Sequence, residues 1–207
     1  TTNPSLMRAA GVKTYKTFVA QASVAAAGKP ISFEVAADEP GEIIRQALAV
    51  VALAPSAFVK VPVMQTSGTD LVPAIRHLAE RGVHLNVTAV FTHQQVDAVA
   101  AALAVGTAPA IISVFAGRVA DAGVDPIAHV LTCGRHIRAR CPRAKLLWAS
   151  PRQVYDIIAA KRAGADIITL APHLIEKLDT VGKDLWDFSR ETVQMFVRDA
   201  QAAGFEL

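Results

Sequence analysis

The sequence predicts an α/β protein, a (β/α)8 barrel of the TIM type, and three observations lead there. Six short apolar runs rich in β-branched residues recur along the 207 residues, and a helix-like stretch separates each from the next. The runs are apolar on both faces, as strands covered by helices are. No glycine-rich phosphate loop opens a helix after a strand, which favours a closed barrel over an open dinucleotide-binding sheet.

In chain order, polar Thr1-Thr2-Asn3-Pro4-Ser5 comes first, ahead of a helical pattern. It reads as the end of a strand whose beginning is absent, so the expected barrel lacks its first strand. Strands are expected at Ile31–Ala36, Ala57–Val63, His84–Val90, Ala110–Ala116, Ala144–Ser150 and Asp166–Ala171. Helices are expected between them at Gly41–Ala54, Thr69–Arg81, Gln94–Val105, Pro126–Arg140 and Arg152–Ala163. A short helical piece, Pro172–Leu178, follows the last strand. A longer one from Asp184 to Ala203 carries Leu185, Phe188, Val193, Phe196 and Val197 as apolar positions. This extra C-terminal helix is expected to cap the barrel or dock on a neighbouring subunit, with one domain spanning 1–207.

Composition agrees with one well-buried domain: 52% of residues are hydrophobic and 19% charged. The net charge of +3 comes from scattered Lys and Arg with no basic run, which argues against a nucleic-acid partner and for small anionic ligands. The longest uncharged run, Ala98–Gly117, is interrupted by Gly106-Thr107-Ala108-Pro109, so no membrane span is expected. No signal peptide is visible, and a cytoplasmic location is the expectation. Cys133 and Cys141 lack metal or redox spacing and read as reduced thiols.

Strand alternation puts Phe58, Lys60 and Pro62 on one face and Val59, Val61 and Val63 on the other, so a lysine enters the barrel. Desolvation disfavours a charged ammonium, and the neutral amine is the form that attacks a ketone. A structural ion pair with a neighbouring carboxylate is the alternative. Ser32 and Glu34 alternate with Ile31, Phe33 and Val35, Asn86 and Thr88 alternate with Leu85 and Val87, and Ser113 adds a further hydroxyl. Each alone fits a satisfied core polar group; four adjacent strands converging such groups point to a barrel active site. Arg118 and Arg152 follow strand ends, where guanidinium forks can grip a phosphate. The six histidines show no paired ligand spacing, and no metal is expected.

Five segments carry a resemblance: Thr1-Thr2-Asn3-Pro4-Ser5, Val59-Lys60-Val61-Pro62, Asn86-Val87-Thr88-Ala89-Val90-Phe91, Phe115-Ala116-Gly117-Arg118 and Ala149-Ser150-Pro151-Arg152. In order and spacing the chain resembles the transaldolase and fructose-6-phosphate aldolase family, whose members are class I Schiff-base enzymes. The resemblance implies an eight-stranded barrel with Lys60 on its fourth strand and no metal or organic cofactor. Lys60 would form an iminium with a ketose C2, and Glu34, through a water that Thr88 helps hold, would serve the proton transfers. Asn3 and Asn86 would bind the dihydroxyacetone portion, with Ser113 and Phe115 lining the pocket. Arg118, Ser150 and Arg152 would bind the phosphate.

The family's first-strand aspartate has no residue in this sequence, and Pro151 stands where the family usually has phenylalanine. Glu34 and Phe115 favour transfer of a dihydroxyacetone unit between sugar phosphates over fructose-6-phosphate-type cleavage. The third alternative is a catalytically silent sugar-phosphate-binding barrel. The partners implied are small-molecule sugar phosphates, with neither nucleic acid nor membrane, and a homo-oligomer, decamer or dimer.

Overall fold

The computed structural model describes residues 1–205. Six strands, β1 (Ser32–Glu34), β2 (Phe58–Pro62), β3 (Leu85–Val90), β4 (Ala110–Val114), β5 (Ala144–Trp148) and β6 (Ile167–Ile168), form one sheet in sequence order. Every pair is parallel. Ser32 Oγ accepts from Asn86 Nδ2 at 3.0 Å although β2 lies between their strands. Strands two apart in a flat sheet are separated by about 9–10 Å. The sheet is therefore curled, and these side chains lean together on its concave face.

The helices are α1 (Pro4–Ala9), α2 (Tyr15–Ala25), α3 (Pro40–Leu53), α4 (Val72–Glu80), α5 (His93–Leu103), α6 (Ala116–Asp121), α7 (Pro126–Arg140) and α8 (Tyr155–Arg162). Their apolar stripes are short-period: Ile43, Ala47 and Val50 on α3, Ile75, Leu78 and Ala79 on α4, Val96, Val99, Ala100 and Leu103 on α5. These stripes join one core with the outward residues of the sheet, including Phe33, Val59, Val61, Leu85, Val87, Ile112, Leu146 and Trp148. Fully burying a side chain of this size contributes about 1.5–3 kcal/mol, which makes the helix-covered face the stabilising one. Chain entries are chemically marked. Thr92 and Gln95 form a reciprocal capping box at α5, and Asp125 caps α7 ahead of Pro126.

The expected alternation of strand and helix is present, with corrected bounds. The strands are shorter than expected, most of all the last, which keeps only Ile167–Ile168 of Asp166–Ala171. The run Ala110–Ala116 ends as a strand at Val114, and Ala116 already begins α6, a helix of only six residues, too short to show a helical period and with a glycine at its second position. Helix α8 starts at Tyr155 rather than Arg152, because the Asp156 carboxylate accepts from the backbone N–H groups of Arg152 (2.5 Å) and Gln153 (3.2 Å) and holds them outside the helix.

The chain divides into two compact units, Thr1–Thr169 and the segment from Leu170 onward. The second contains α9 (Pro172–Ile175), a 3₁₀ turn at Leu178–Thr180 and α10 (Leu185–Ala202), which Asp184 caps through the N–H groups of Trp186 and Asp187. No helix among the described residues is long and apolar enough to cross a membrane.

Candidate active site

The inner face of the sheet is unevenly polar. On its β4–β6 side Ile111, Leu147 and Ala149 cluster with Phe115 and Ile167, joined by Phe58 from β2. On its β1–β4 side stand Ser32, Glu34, Lys60, Asn86, Thr88 and Ser113, the polar groups expected from strand alternation. The parallel register sets Glu34 opposite Lys60 and Lys60 opposite Asn86, so three functional side chains occupy one row on consecutive strands.

Lys60 Nζ lies 2.9 Å from Glu34 Oε2, and the two side chains are only 11% and 17% exposed. The ion pair raised as an alternative for Lys60 is therefore present, made with the very carboxylate proposed as its proton partner. Such a pair holds an ammonium within one hydrogen bond of a base. The carbonyl of Thr2 is a weaker neighbour at 3.5 Å. Thr2 is itself anchored on β1, its N–H and Oγ1 both donating to the Ser32 carbonyl at 3.1 and 2.9 Å.

Two further features shape this end of the sheet. Ser113 Oγ donates to Asn86 Oδ1 at 2.7 Å, which completes a chain Ser113–Asn86–Ser32 across the concave face. Thr88, 2% exposed, keeps its Oγ1 buried without a hydrogen-bond partner among the described residues. A buried hydroxyl left so costs about 1–3 kcal/mol unless a water or ligand serves it. Beside it Ala89 takes φ +57, and the ladder slips there between Val87 and Val90. This left-handed kink, rare for a residue with a Cβ, shifts the register of the strand just before its last residue, Val90, pairs with Val114.

Behind Glu34, the Tyr15 hydroxyl donates to its backbone carbonyl at 2.6 Å. Burial first, and the Glu34 carboxylate second, push the Tyr15 phenol up to about 12. Tyr15 was not among the residues singled out from sequence, and its position on a helix far from the motif segments carried no signal.

The comparisons with known proteins fit this geometry. The family model described as Transaldolase/Fructose-6-phosphate aldolase matches residues 1–207. The chain belongs to that family. Among its relatives, a protein named probable transaldolase from Roseiflexus sp. (strain RS-1) is 34% identical over 177 residues, covering 86% of this chain and 77% of that protein. Two others with the same name are similar: one from Dehalococcoides mccartyi, 31% identical over 170 residues (82% and 74% of the two chains), and one from Methanococcus maripaludis, 29% over 178 residues (86% and 78%).

The remaining residues expected from the transaldolase and aldolase resemblance lie at the carboxyl ends of β4 and β5 and at the start of the chain. Phe115 packs on Phe91 with ring centroids 5.4 Å apart, and the Arg118 guanidinium sits 5.7 Å from the Phe115 centroid. Ser150 takes φ +62. Arg152 is engaged: its Nε donates to Asp121 Oδ2 at 2.9 Å, and a second guanidinium nitrogen contacts the same oxygen. Asn3 serves locally, its side chain accepting from Leu6 N–H at 2.8 Å as the cap of α1. Sequence reasoning missed Asp121, which acts on a residue 31 positions away, and Asp156, whose carboxylate turns back to backbone N–H groups three and four residues before it.

Proposed function

We propose that this chain is a transaldolase that carries a dihydroxyacetone unit from a ketose phosphate to an aldose phosphate through a Schiff base on Lys60. The observation that carries the reading is the row Glu34–Lys60–Asn86, in which a nearly buried lysine lies 2.9 Å from a carboxylate on the concave face of the sheet.

The ammonium passes a proton to Glu34 and the free amine attacks the ketose C2 carbonyl. Glu34 returns a proton to the carbinolamine oxygen, which leaves as water, and the unpartnered Thr88 hydroxyl holds that water between them. As a base takes the C4 hydroxyl proton, the C3–C4 electron pair moves into the iminium and the shortened aldose phosphate leaves. The enamine then attacks the aldehyde carbon of the acceptor, whose oxygen takes up a proton, and water hydrolyses the new iminium to free the product and Lys60. This sequence requires no metal or organic cofactor. Asn86 and Asn3 bind the dihydroxyacetone hydroxyls, Ser113 lines their pocket and Phe115 walls it. Arg118, Ser150 and Arg152 take the phosphate. Arg152 leaves Asp121 to do so, and an exposed pair of this kind is worth only about 0–1 kcal/mol.

In this reading the six-stranded curled sheet is part of a (β/α)8 barrel making one domain, and the protein acts in the cytoplasm. On α10, Leu185, Trp186, Val193, Phe196 and Val197 are all half or more exposed, which supports a homo-oligomer, decamer or dimer, formed through that helix. A monomer by light scattering would count against the oligomer alone.

The test of the reaction is borohydride trapping with fructose 6-phosphate, followed by peptide mass spectrometry. A reduced adduct on Lys60, absent from Lys60→Met, is expected. Binding without any adduct would overturn the Schiff-base reading in favour of a silent sugar-phosphate-binding barrel. Release of free dihydroxyacetone without an acceptor aldose would replace transfer by simple cleavage.

A further inference from the structure

We infer that the outer helical layer carries a zinc site built from His93, His129 and Cys133, separate from the concave face that holds Lys60. His129 and Cys133 are one turn apart on α7 and so share a face. His93 is the first residue of α5, set there by the Thr92–Gln95 capping box. One ligand atom from each of the three residues lies within 4.8 Å of the other two. Tetrahedral zinc, with bonds of about 2.0–2.1 Å to nitrogen and 2.3 Å to sulfur, needs ligand separations of roughly 3.4–3.7 Å. Binding would therefore draw the three groups about 1 Å closer together.

Three independent features point to a ligand there. Nε2 of His129 is buried and has no hydrogen-bond partner among the described residues, a cost that a metal would remove. Cys133 is a buried free thiol on the same face, where no disulfide engages it. One imidazole also has a backbone carbonyl on one nitrogen: Nε2 of His93 faces the His129 carbonyl at 3.3 Å. That arrangement fixes a ligand imidazole's tautomer and leaves its other nitrogen as a lone pair. The two rings lie nearly parallel, with centroids 4.4 Å apart, and His136 stacks on His93 while contacting Asp97 at 3.2 Å.

Two imidazoles and a thiolate suit zinc rather than magnesium or calcium, which prefer oxygen. On binding, the Cys133 S–H bond breaks, its proton goes to solvent, and a sulfur–zinc bond forms. The fourth position is left to water. Such an ion would clamp α5 to α7 on the outside of the sheet.

The experiment titrates metal-stripped protein with Co²⁺ and then Zn²⁺, following absorbance and thermal unfolding. A thiolate-to-cobalt charge-transfer band and strong tetrahedral d–d bands should saturate at one ion per chain and vanish on Zn²⁺ addition. Zn²⁺ should also raise Tm. The bands should be lost in His93→Gln and Cys133→Ser and kept in Cys141→Ser. Because Cys133 is buried and its serine variant is prone to misfold, His93→Gln, altered at a partly exposed ring, is the deciding variant. Absence of saturable bands in the parent protein, or their survival in His93→Gln, overturns the site.

Discussion

Gly117 faces the carbonyl oxygen of Ser150 so closely that a Cβ built on it would lie 1.6 Å from that oxygen. The glycine is needed for space, since it is the backbone of α6 that approaches the end of β5, and Gly117 N–H donates to the Ala149 carbonyl at 3.3 Å. Gly117→Ala must push the two segments apart. A stability loss at or above the usual overpacking range, about 1–3 kcal/mol, is expected in urea unfolding, with a raised KM for a phosphorylated ketose because Arg118 and Ser150 move with those segments.

Thr88→Val should separate stability from activity. It removes a buried hydroxyl that no described residue satisfies, so Tm should hold or rise, while the rate of Schiff-base formation falls. A matching drop in both would mean that the hydroxyl serves the fold and holds no catalytic water.

Glu34→Gln keeps the shape of the side chain and removes its charge. Trapping of the Lys60 adduct should slow by roughly 10²–10⁴-fold, the usual range for a lost acid–base group. Leaving Lys60 with a neutral acceptor in place of a carboxylate should also cost about 1–3 kcal/mol in denaturant unfolding. Unchanged trapping kinetics would remove Glu34 from the proton transfers.

Asp121→Asn frees the Arg152 guanidinium from its carboxylate. KM should fall for phosphorylated substrates and stay constant for unphosphorylated ones, with stability within about 0.5 kcal/mol of the parent because the pair is half exposed. A KM change common to both substrate types would place Arg152 outside the phosphate site.

Tyr15 sets an alkaline limit. Its folded-state pKa, about 12, lies above the ordinary 10.0, so the native state keeps this proton longer than the unfolded chain does. Its contribution is fully present below pH 10 and is lost as pH climbs from there towards 12. Tyr15→Phe should flatten that part of a stability-versus-pH curve while losing about 1 kcal/mol below it, from the missing bond to the Glu34 carbonyl.

The polar face was legible in the sequence because a strand has a period of two. Once Val59, Val61 and Val63 were assigned to the core, Lys60 had to point the other way, and the same parity placed Glu34, Asn86, Thr88 and Ser113. Helix α6 was not legible, since Ala116–Asp121 follows an apolar strand with no polar break and only tertiary contact with β5 turns it. The engagement of Arg152 by Asp121 was equally hidden, one residue ending α6 and the other in the loop before α8, with no shared pattern. The histidine–cysteine cluster escaped for a related reason. His129 and Cys133 have ligand spacing, but their third member lies 36 residues before His129 on another helix.

The three-member chain Ser113–Asn86–Ser32 has a direction. Each group gives its proton to the next, so the Ser32 hydroxyl hydrogen remains to be given away and the Ser113 oxygen keeps lone pairs to be filled. A polyol entering this face thus meets an ordered pair of ends, one asking for an acceptor and the other for a donor. Two sugars that differ only in which way a hydroxyl can turn would be told apart there, with no change in shape between them.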